Sequence, residues 1–300
     1  MPKVSVILPI YNVASYLDDA FLSLINQTLE DIEIIVVNDG STDESQQYIE
    51  RYAKQDVRIK YFYQNNQGQS VARNLAIEHA TGEYIYMMDS DDRIELNTLE
   101  ACYQYAEHTK ADFIFFDGDI FYDKGAEELT WDYKRTYLCK EGVQYQGEFL
   151  LNKMIDTGKH SCVVWLLFIR KKYIDKIDLS FYPGIIHEDE LYTTILTLNS
   201  NNIFCLQKTL VHHRVRNTST MGKRYSKRNI DCYLTVFSEL FKFQDSPLIR
   251  KFANYTLSKV FYTGHVIPLK DKIAIFWRTI KSGYLKHIDM KSILVFWLKR

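Results

Sequence analysis

Asp89, Asp91 and Asp92 crowd around Ser90 at the end of the apolar run YIYMM, residues 84–88. Carboxylates this close repel one another and resist leaving water, so folding alone gives little reason to set them beside a buried strand. A divalent cation would offset the repulsion, and an open α/β sheet leaves its ligand crevice where its strands end. The chemistry implied is metal-assisted handling of a polyanion such as a nucleotide diphosphate. A solvated acidic turn at a helix N-terminus is the competing reading. A second acidic centre, IHEDE at residues 186–190, opens a helical pattern. Its carboxylates either meet the helix dipole or supply a general base, a role separate from metal aspartates whose charge is already committed.

Three further groups are candidates. Asp39, just past the apolar run at 32–37, can accept a hydrogen bond from a base N–H or a ribose hydroxyl, or it can close an Asx-turn within NDGSTD at 38–43. Arg73, at the start of a helical stretch, is either a second cation for phosphate or one half of a surface salt bridge. The segment VHHRVR at 211–216 gathers His212, His213, Arg214 and Arg216. These could reach a diphosphate or its metal from a mobile segment, or form a structural pair of histidines. GxGxxG and GxxxxGKS/T are both absent, which disfavours a dinucleotide fold or a P-loop.

The elements that must position these groups alternate. Apolar runs at 4–8, 32–37, 59–63 and 84–88 read as strands, the first closed by Pro9 and a turn at Tyr11-Asn12. Helical spacing separates them: Leu17, Ala20, Phe21 and Leu24; then Tyr48, Ile49 and Tyr52 after a cap at Ser41 or Thr42; then a helix opened by Gly68 and Ser70. Strand–helix alternation at this spacing implies right-handed crossovers and a mainly parallel sheet covered on both faces. Loops following four parallel strands emerge on one edge, so aspartates fifty residues apart can line one crevice. A helix at 96–108, a strand at 112–116 and a helix at 187–199 are also legible. Residues 117 onward are a looser mixture of polar and aromatic side chains, where a second substrate could be recognised. After residue 223 the pattern is helical, with breaks near 264–268 and 283.

Composition bounds the function. The 300 residues carry 37 basic and 38 acidic side chains, an ordinary globular balance. The charge is unevenly spread: residues 241–300 hold twelve Lys/Arg against three Asp, a net of +9, and residues 1–240 a net of −10. That is a basic tail on an acidic body, which excludes a uniform nucleic-acid binder. Five scattered cysteines without a CxxC pair argue against a zinc knuckle or a disulfide scaffold and fit a reducing compartment. The N-terminal apolar run is too short for a signal peptide, so the N-x-S/T matches at Asn26, Asn217 and Asn254 are incidental.

PIYN at 9–12, VNDGSTD at 37–43, NQGQSVARNLAIEHATGEYIYMMDSDD at 66–92 and HED at 187–189, in this order and spacing, resemble glycosyltransferase family two. That is the large inverting group with the GT-A fold, and the resemblance covers about residues 3–220. It implies an α/β GT-A fold with a mainly parallel, Rossmann-like sheet flanked by helices and a C-terminal helical extension. Residues 1–220 would be the catalytic domain, split into a nucleotide-sugar half (1–116) and an acceptor half (117–220), with 221–300 a basic amphipathic helical region. The resemblance implies a nucleotide pocket from Pro9, Tyr11, Asn12 and Asp39, with Asp39 near the uracil. Asp89 and Asp91 would be the DxD pair for Mn²⁺ or Mg²⁺, Asp91 the more direct ligand. Ser90 and Asp92 would lie at the donor and Asp189 would be the base.

Single-sugar transfer from a UDP-sugar, hexosyl or N-acetylhexosaminyl, to a carbohydrate or lipid-linked glycan is the expectation, since the chain lacks the QxxRW sequence and the apolar spans of processive synthases. A nucleotidyltransferase and a non-catalytic glycan- or membrane-binding scaffold stay open. The C-terminal runs IAIFW at 273–277 and ILVFW at 293–297, interspersed with lysines, can lie in an anionic membrane interface or pack on the catalytic domain or on a second subunit as a homodimer. The expected location is the cytoplasmic face of the cell membrane.

Overall fold

The computed structural model describes residues 1–129, 131–216 and 225–299; the Asn217 sequon and Arg300 lie outside the described residues. The chain opens with β1 (Val4–Ile10), α1 (Leu17–Ile25), β2 (Ile32–Asp39), α2 (Ser45–Gln55), β3 (Ile59–Gln64), α3 (Gln69–Glu78) and β4 (Tyr84–Met87). It continues through β5 (Arg93–Ile94), α4 (Thr98–Thr109), β6 (Phe113–Tyr122), α5 (Gly147–Asp156), β7 (Leu167–Arg170), α6 (Lys171–Lys176), α7 (Glu188–Asn199) and β8 (Ile203–Val215). Four helices follow: α8 (Lys227–Phe243), α9 (Pro247–Thr263), α10 (Leu269–Lys281) and α11 (Met290–Leu298).

All eight strands form one sheet in the order β3-β2-β1-β4-β7-β6-β8-β5. The half built from β3, β2, β1 and β4 is parallel throughout. Beyond β4 the sheet is mixed: β7 runs antiparallel to β4 and β6, β5 runs antiparallel to β8, and β6 and β8 are parallel. Helices cover both faces, so β1 is buried at all seven positions, as a central strand between two layers must be. Val4, Val6, Leu8 and Ile10 enter the core under α1, α2 and α4, while Ile7 enters the core under α3, α5 and α7. A third core, containing Phe237, Phe252, Phe261 and Phe296, packs α8, α9 and α11 onto Leu151 and Ile155 of α5 and Leu191 of α7.

Three local expectations are corrected. Pro9 lies inside β1, opposite Val37 of β2, and does not end the strand. Ser41 and Thr42 do not cap α2: its N-cap residue is Glu44, without a side-chain cap bond, and the Asp43 Oδ1 just before it accepts from the Ser45 N–H at 3.0 Å. The segment holding His212, His213 and Arg214 is no mobile stretch but the end of β8, paired with Asp119, Ile120 and Phe121 of β6. Residues 116 and 117 are neighbours within β6, in the one sheet that all eight strands share.

Candidate active site

Register sets the site. Ile10 of β1 lies beside Asn38 of β2, Asp39 of β2 beside Gln64 of β3, and Ile7 of β1 beside Met87 of β4, so four loops leave along one edge. The β2 and β3 loops approach closely. A Cβ on Gly40, whose φ is +71°, would sit 2.7 Å from the Asn66 backbone nitrogen, so only glycine fits there. Between the loops and the end of β8 lies a cavity of about 420 Å³. Pro9, Tyr11, Asp39, Asn66, Gln69, Asp89, Ser90, Asp91, His213, Arg214 and Arg216 are in its wall. Nine of the predicted site residues therefore converge.

Asp39 makes no Asx-turn in its own loop. Its carboxylate accepts from the backbone N–H groups of Gln67 and Gly68, each at 2.8 Å, and from the Gln64 amide at 2.7 Å. It thereby fixes the loop that opens α3 while lining the cavity. Asn12 is not in the wall: its Oδ1 accepts from the Thr42 N–H at 2.7 Å and its own N–H donates to Ser41 Oγ, tying the β1 and β2 loops together.

The acidic loop divides its labour. Asp89 accepts from Gln69 and Arg73, one helical turn apart on α3, both at 3.1 Å. Asp91 accepts from Arg216 Nε at 2.8 Å. Burial, followed by the Asp89 charge, pushes the Asp91 carboxyl above its usual range even with Arg216 beside it. Asp92 is fully buried behind the wall rather than facing the cavity. Its Oδ1 accepts from the Arg214 N–H at 2.8 Å, and its Oδ2 meets His213 Nδ1 at 3.0 Å. Burial pushes Asp92 up to about 7, against the pull of His213. For His213 burial works downward, yet the surrounding aspartates outweigh it and hold the imidazolium above its ordinary range. The ring is also stacked on Trp165 at 5.1 Å and edge-on to Tyr133. His212 lies outside the cavity, its Nε2 at 2.6 Å from Glu95. Arg214 reaches Asp123 at 2.8 Å and the Asp91 carbonyl at 2.9 Å.

Arg73 overturns the surface salt bridge reading. It is only 2% exposed, and its guanidinium binds Asp189 at 2.6 Å, Asp89 at 3.1 Å and Glu188 at 3.2 Å. Phe181 packs against it at 5.1 Å. One cation thus joins the acidic loop after β4 to the first turn of α7, with Asp189 100 residues beyond Asp89 in sequence. His187, in a left-handed conformation before α7, turns the chain so that Glu188 and Asp189 face Arg73. Burial pushes Asp189 up to about 8, with Arg73 opposing.

The description of glycosyl transferase family 2 matches residues 5–178. The chain belongs to that family. It is 31% identical over 217 residues to the uncharacterized glycosyltransferase YibD of Escherichia coli, covering 72% of this chain and 62% of that protein. It is 41% identical over 210 residues to the cholesterol galactosyltransferase of Borreliella burgdorferi, covering 67% of this chain and 57% of the relative. The chain thus spans about three-fifths of the length of these two relatives. Its fold resembles S. aureus TarS 1-349 in complex with UDP-GlcNAc, with a TM-score of 0.70 at 21% identity over 98% of this chain and 83% of that one. That likeness concerns the fold, which is the GT-A architecture of family 2.

The donor set suits a small hard cation. Asp89 and Asp91 both line the cavity, and Asp91 is pushed up first by burial and then by the Asp89 charge, the second of which a cation between them would offset. Among the described residues no three His, Cys, Asp or Glu side chains converge as a closed metal cage. Two carboxylates with the rest of the shell left to diphosphate and water is a Mg²⁺-type arrangement. Sequence reasoning missed Asn66 and Gln69 in the wall, Glu188 as a partner of Arg73, and the Trp165–Tyr133 support of His213. Gln69 was findable from its four-residue spacing to Arg73. Nothing in the sequence points to Trp165.

Proposed function

We propose that the chain is an inverting glycosyltransferase that moves a single hexosyl or N-acetylhexosaminyl group from a UDP-sugar to a hydroxyl of a carbohydrate or lipid-linked glycan. The observation that carries this reading is Arg73, whose one guanidinium holds the acidic loop of the cavity and Asp189 together. A donor on one side of that ion pair and an acceptor hydroxyl on the other would meet beside Asp189.

In this reading Pro9, Tyr11 and Asp39 hold the nucleoside across the ends of β1 and β2, and Ser90 lies on the donor side. Asp189 takes the acceptor's hydroxyl proton, the oxygen bonds to the anomeric carbon from the face opposite UDP, and the bond to the diphosphate oxygen breaks with inversion. His213, Arg214 and Arg216 set positive charge in the cavity wall, where negative charge develops on the leaving diphosphate. Mn²⁺ or Mg²⁺ held by Asp89 and Asp91 would act as a Lewis acid on the leaving diphosphate. Asp92 acts through His213, which it orients. Residues 1–116 supply most of the donor side, joined there by His213, Arg214 and Arg216, and the acceptor side is drawn from the rest of residues 117–220. The relative named as a cholesterol galactosyltransferase accords with an acceptor of lipid character, and the proposal places the reaction at the cytoplasmic face of the membrane. Among the described residues no helix is long and apolar enough to cross a membrane. Transfer, rather than synthesis, of a nucleotide-sugar accords with the family.

The test is incubation with a panel of UDP-sugars and Mn²⁺ or Mg²⁺. UDP release that grows on adding a glycan acceptor is the expected result. Diphosphate release from UTP and a sugar phosphate, or no turnover of any donor, would overturn the reading.

A further inference from the structure

The C-terminal helices bury one face and leave another, unexpectedly apolar, in solvent. On α10, Ile275 and Thr279 are buried, while Leu269, Ile273, Trp277 and Ile280 are exposed, Leu269 by 66% and Trp277 by 63%. These four recur at intervals of four, four and three residues and form one continuous stripe along the helix. On α11, Phe296 is buried and Met290, Leu294 and Leu298 repeat every four residues on the open side, Leu298 being 73% exposed. The Phe276 and Trp297 rings meet edge-on at 5.3 Å, which brings the two helices together. The stripes are not needed to hold these helices, because the third core does that from their other faces.

Charge distinguishes the occupants. At 100° per residue, Lys270 and Lys281 fall along one border of the α10 stripe and Lys291 along a border of the α11 stripe, with Lys286 just before α11 and Lys299 just after it. Among the described residues none of these five lysines forms an ion pair. A second copy docking through this face would set the same unpaired lysines against each other. An acidic lipid surface would meet them with the opposite sign while admitting the tryptophan and aliphatic side chains to its interface.

We infer that the exposed face of α10 and α11 is an electrostatic and hydrophobic docking surface for an anionic membrane. The inference deepens the proposed lipid-linked acceptor but does not depend on the donor chemistry. It also gives the site an orientation. Arg278 of α10 binds Asp231 of α8 at 2.6 Å, and α8 in turn holds His187 through Asn229 at 3.3 Å and the Tyr233 ring at 4.3 Å. The docking face is therefore linked, through a single intervening helix, to the residue that starts α7 and presents Asp189.

Sedimentation of the full chain with vesicles tests this, using phosphatidylglycerol–phosphatidylcholine mixtures against phosphatidylcholine alone, at low and high salt. Binding only to the anionic vesicles, weakened by salt, is expected. The pair Ile273→Glu with Trp277→Glu should lower the bound fraction about tenfold, and Lys270→Glu with Lys281→Glu by a similar factor. Both variants change exposed positions, so circular dichroism and calorimetric UDP binding should match the parent chain. Release of UDP on a soluble acceptor, followed in parallel, separates failure of docking from failure of the transferase reading. Equal binding to both vesicle types, variants that bind like the parent, or a dimer in light scattering that Ile273→Glu with Trp277→Glu dissolves would each overturn the inference.

Discussion

In the parallel half of the sheet, β3-β2-β1-β4, the polar groups around the cavity come from the last residues of strands or the loops just past them. In the mixed half, His213 and Arg214 project into the wall from within β8, while Asp189, in the first turn of α7, is outside the wall and is joined to Asp89 through Arg73. The two halves also hold their groups differently. Asp39 and Asn12 use backbone N–H groups as anchors, which follow automatically once the loops have their turns. His213 is held by a buried carboxylate and two aromatic rings drawn from distant segments. The first half is shaped by local chain geometry and the second by packing, and Arg73 is the joint between them.

Arg73→Ala should break that joint with the largest effect. It strands Glu188, Asp189 and Asp89 without their shared cation, and losing one partner of a buried ion cluster costs about 3–5 kcal/mol. Urea unfolding measures it; Arg73→Lys should recover part of the loss. An alanine variant as stable as the parent would mean that the two halves stand independently. Next comes Asp91→Asn, confined to the parallel side. The Mn²⁺-dependent gain in UDP affinity should fall by roughly 10–100-fold or more, the scale on which metal sites respond to their supporting groups. Calorimetry with and without Mn²⁺ reads this directly, and an unchanged gain would remove Asp91 from the metal site.

On the mixed side, Asp92→Asn keeps the shape and removes the charge that lifts His213. The imidazole should then titrate lower, since burial acts unopposed by that carboxylate, and turnover should fall by about tenfold as the ring loses its orientation. Proton NMR of the His213 ring tests the first part; an unmoved titration would show that Asp92 does not set its charge. A pH profile probes the same side without a substitution. Asp189 stands at about 8 because burial disfavours its charge, and only the deprotonated form can accept a proton. Hence kcat/KM should climb between about pH 6 and about pH 9 as the carboxyl ionises. A profile that falls over this range would contradict a carboxylate base there.

The same contrast explains what the sequence revealed. The four parallel strands, their helices and the acidic loop were legible because apolar runs, helical spacing and the NDG turn are all local signals. Asp39, Asp89 and Asp91 could be named for that reason, whereas Asp189 was singled out of the acidic centre at 186–190 only by the family resemblance. The reversal at β7 was not legible: four residues, LFIR, look the same in either direction, and only pairing with Tyr84–Tyr86 and Phe113–Phe115 fixes it. The long β8 was hidden because it carries His212 and Arg214, side chains that read as a polar segment until their carboxylate partners Glu95 and Asp123 are known. Arg73 was visible as a cation but not as a buried one, since its three partners lie 16 to 116 residues away. The C-terminal helices were readable from their period, whereas the division of each into a packed face and an open apolar stripe required the fold.

The central claim is that the strand-end cavity holds the donor while Asp189, across Arg73, performs the proton transfer. The direct measurement is Asp189→Asn assayed two ways on one preparation: UDP-sugar affinity by calorimetry with Mn²⁺, and transfer to the acceptor at saturating donor. Affinity should be nearly unchanged and kcat should fall by roughly 10²–10⁴-fold, the contribution expected of a general base. Near-normal turnover in Asp189→Asn, with transfer lost instead in Glu188→Gln, would contradict the assignment.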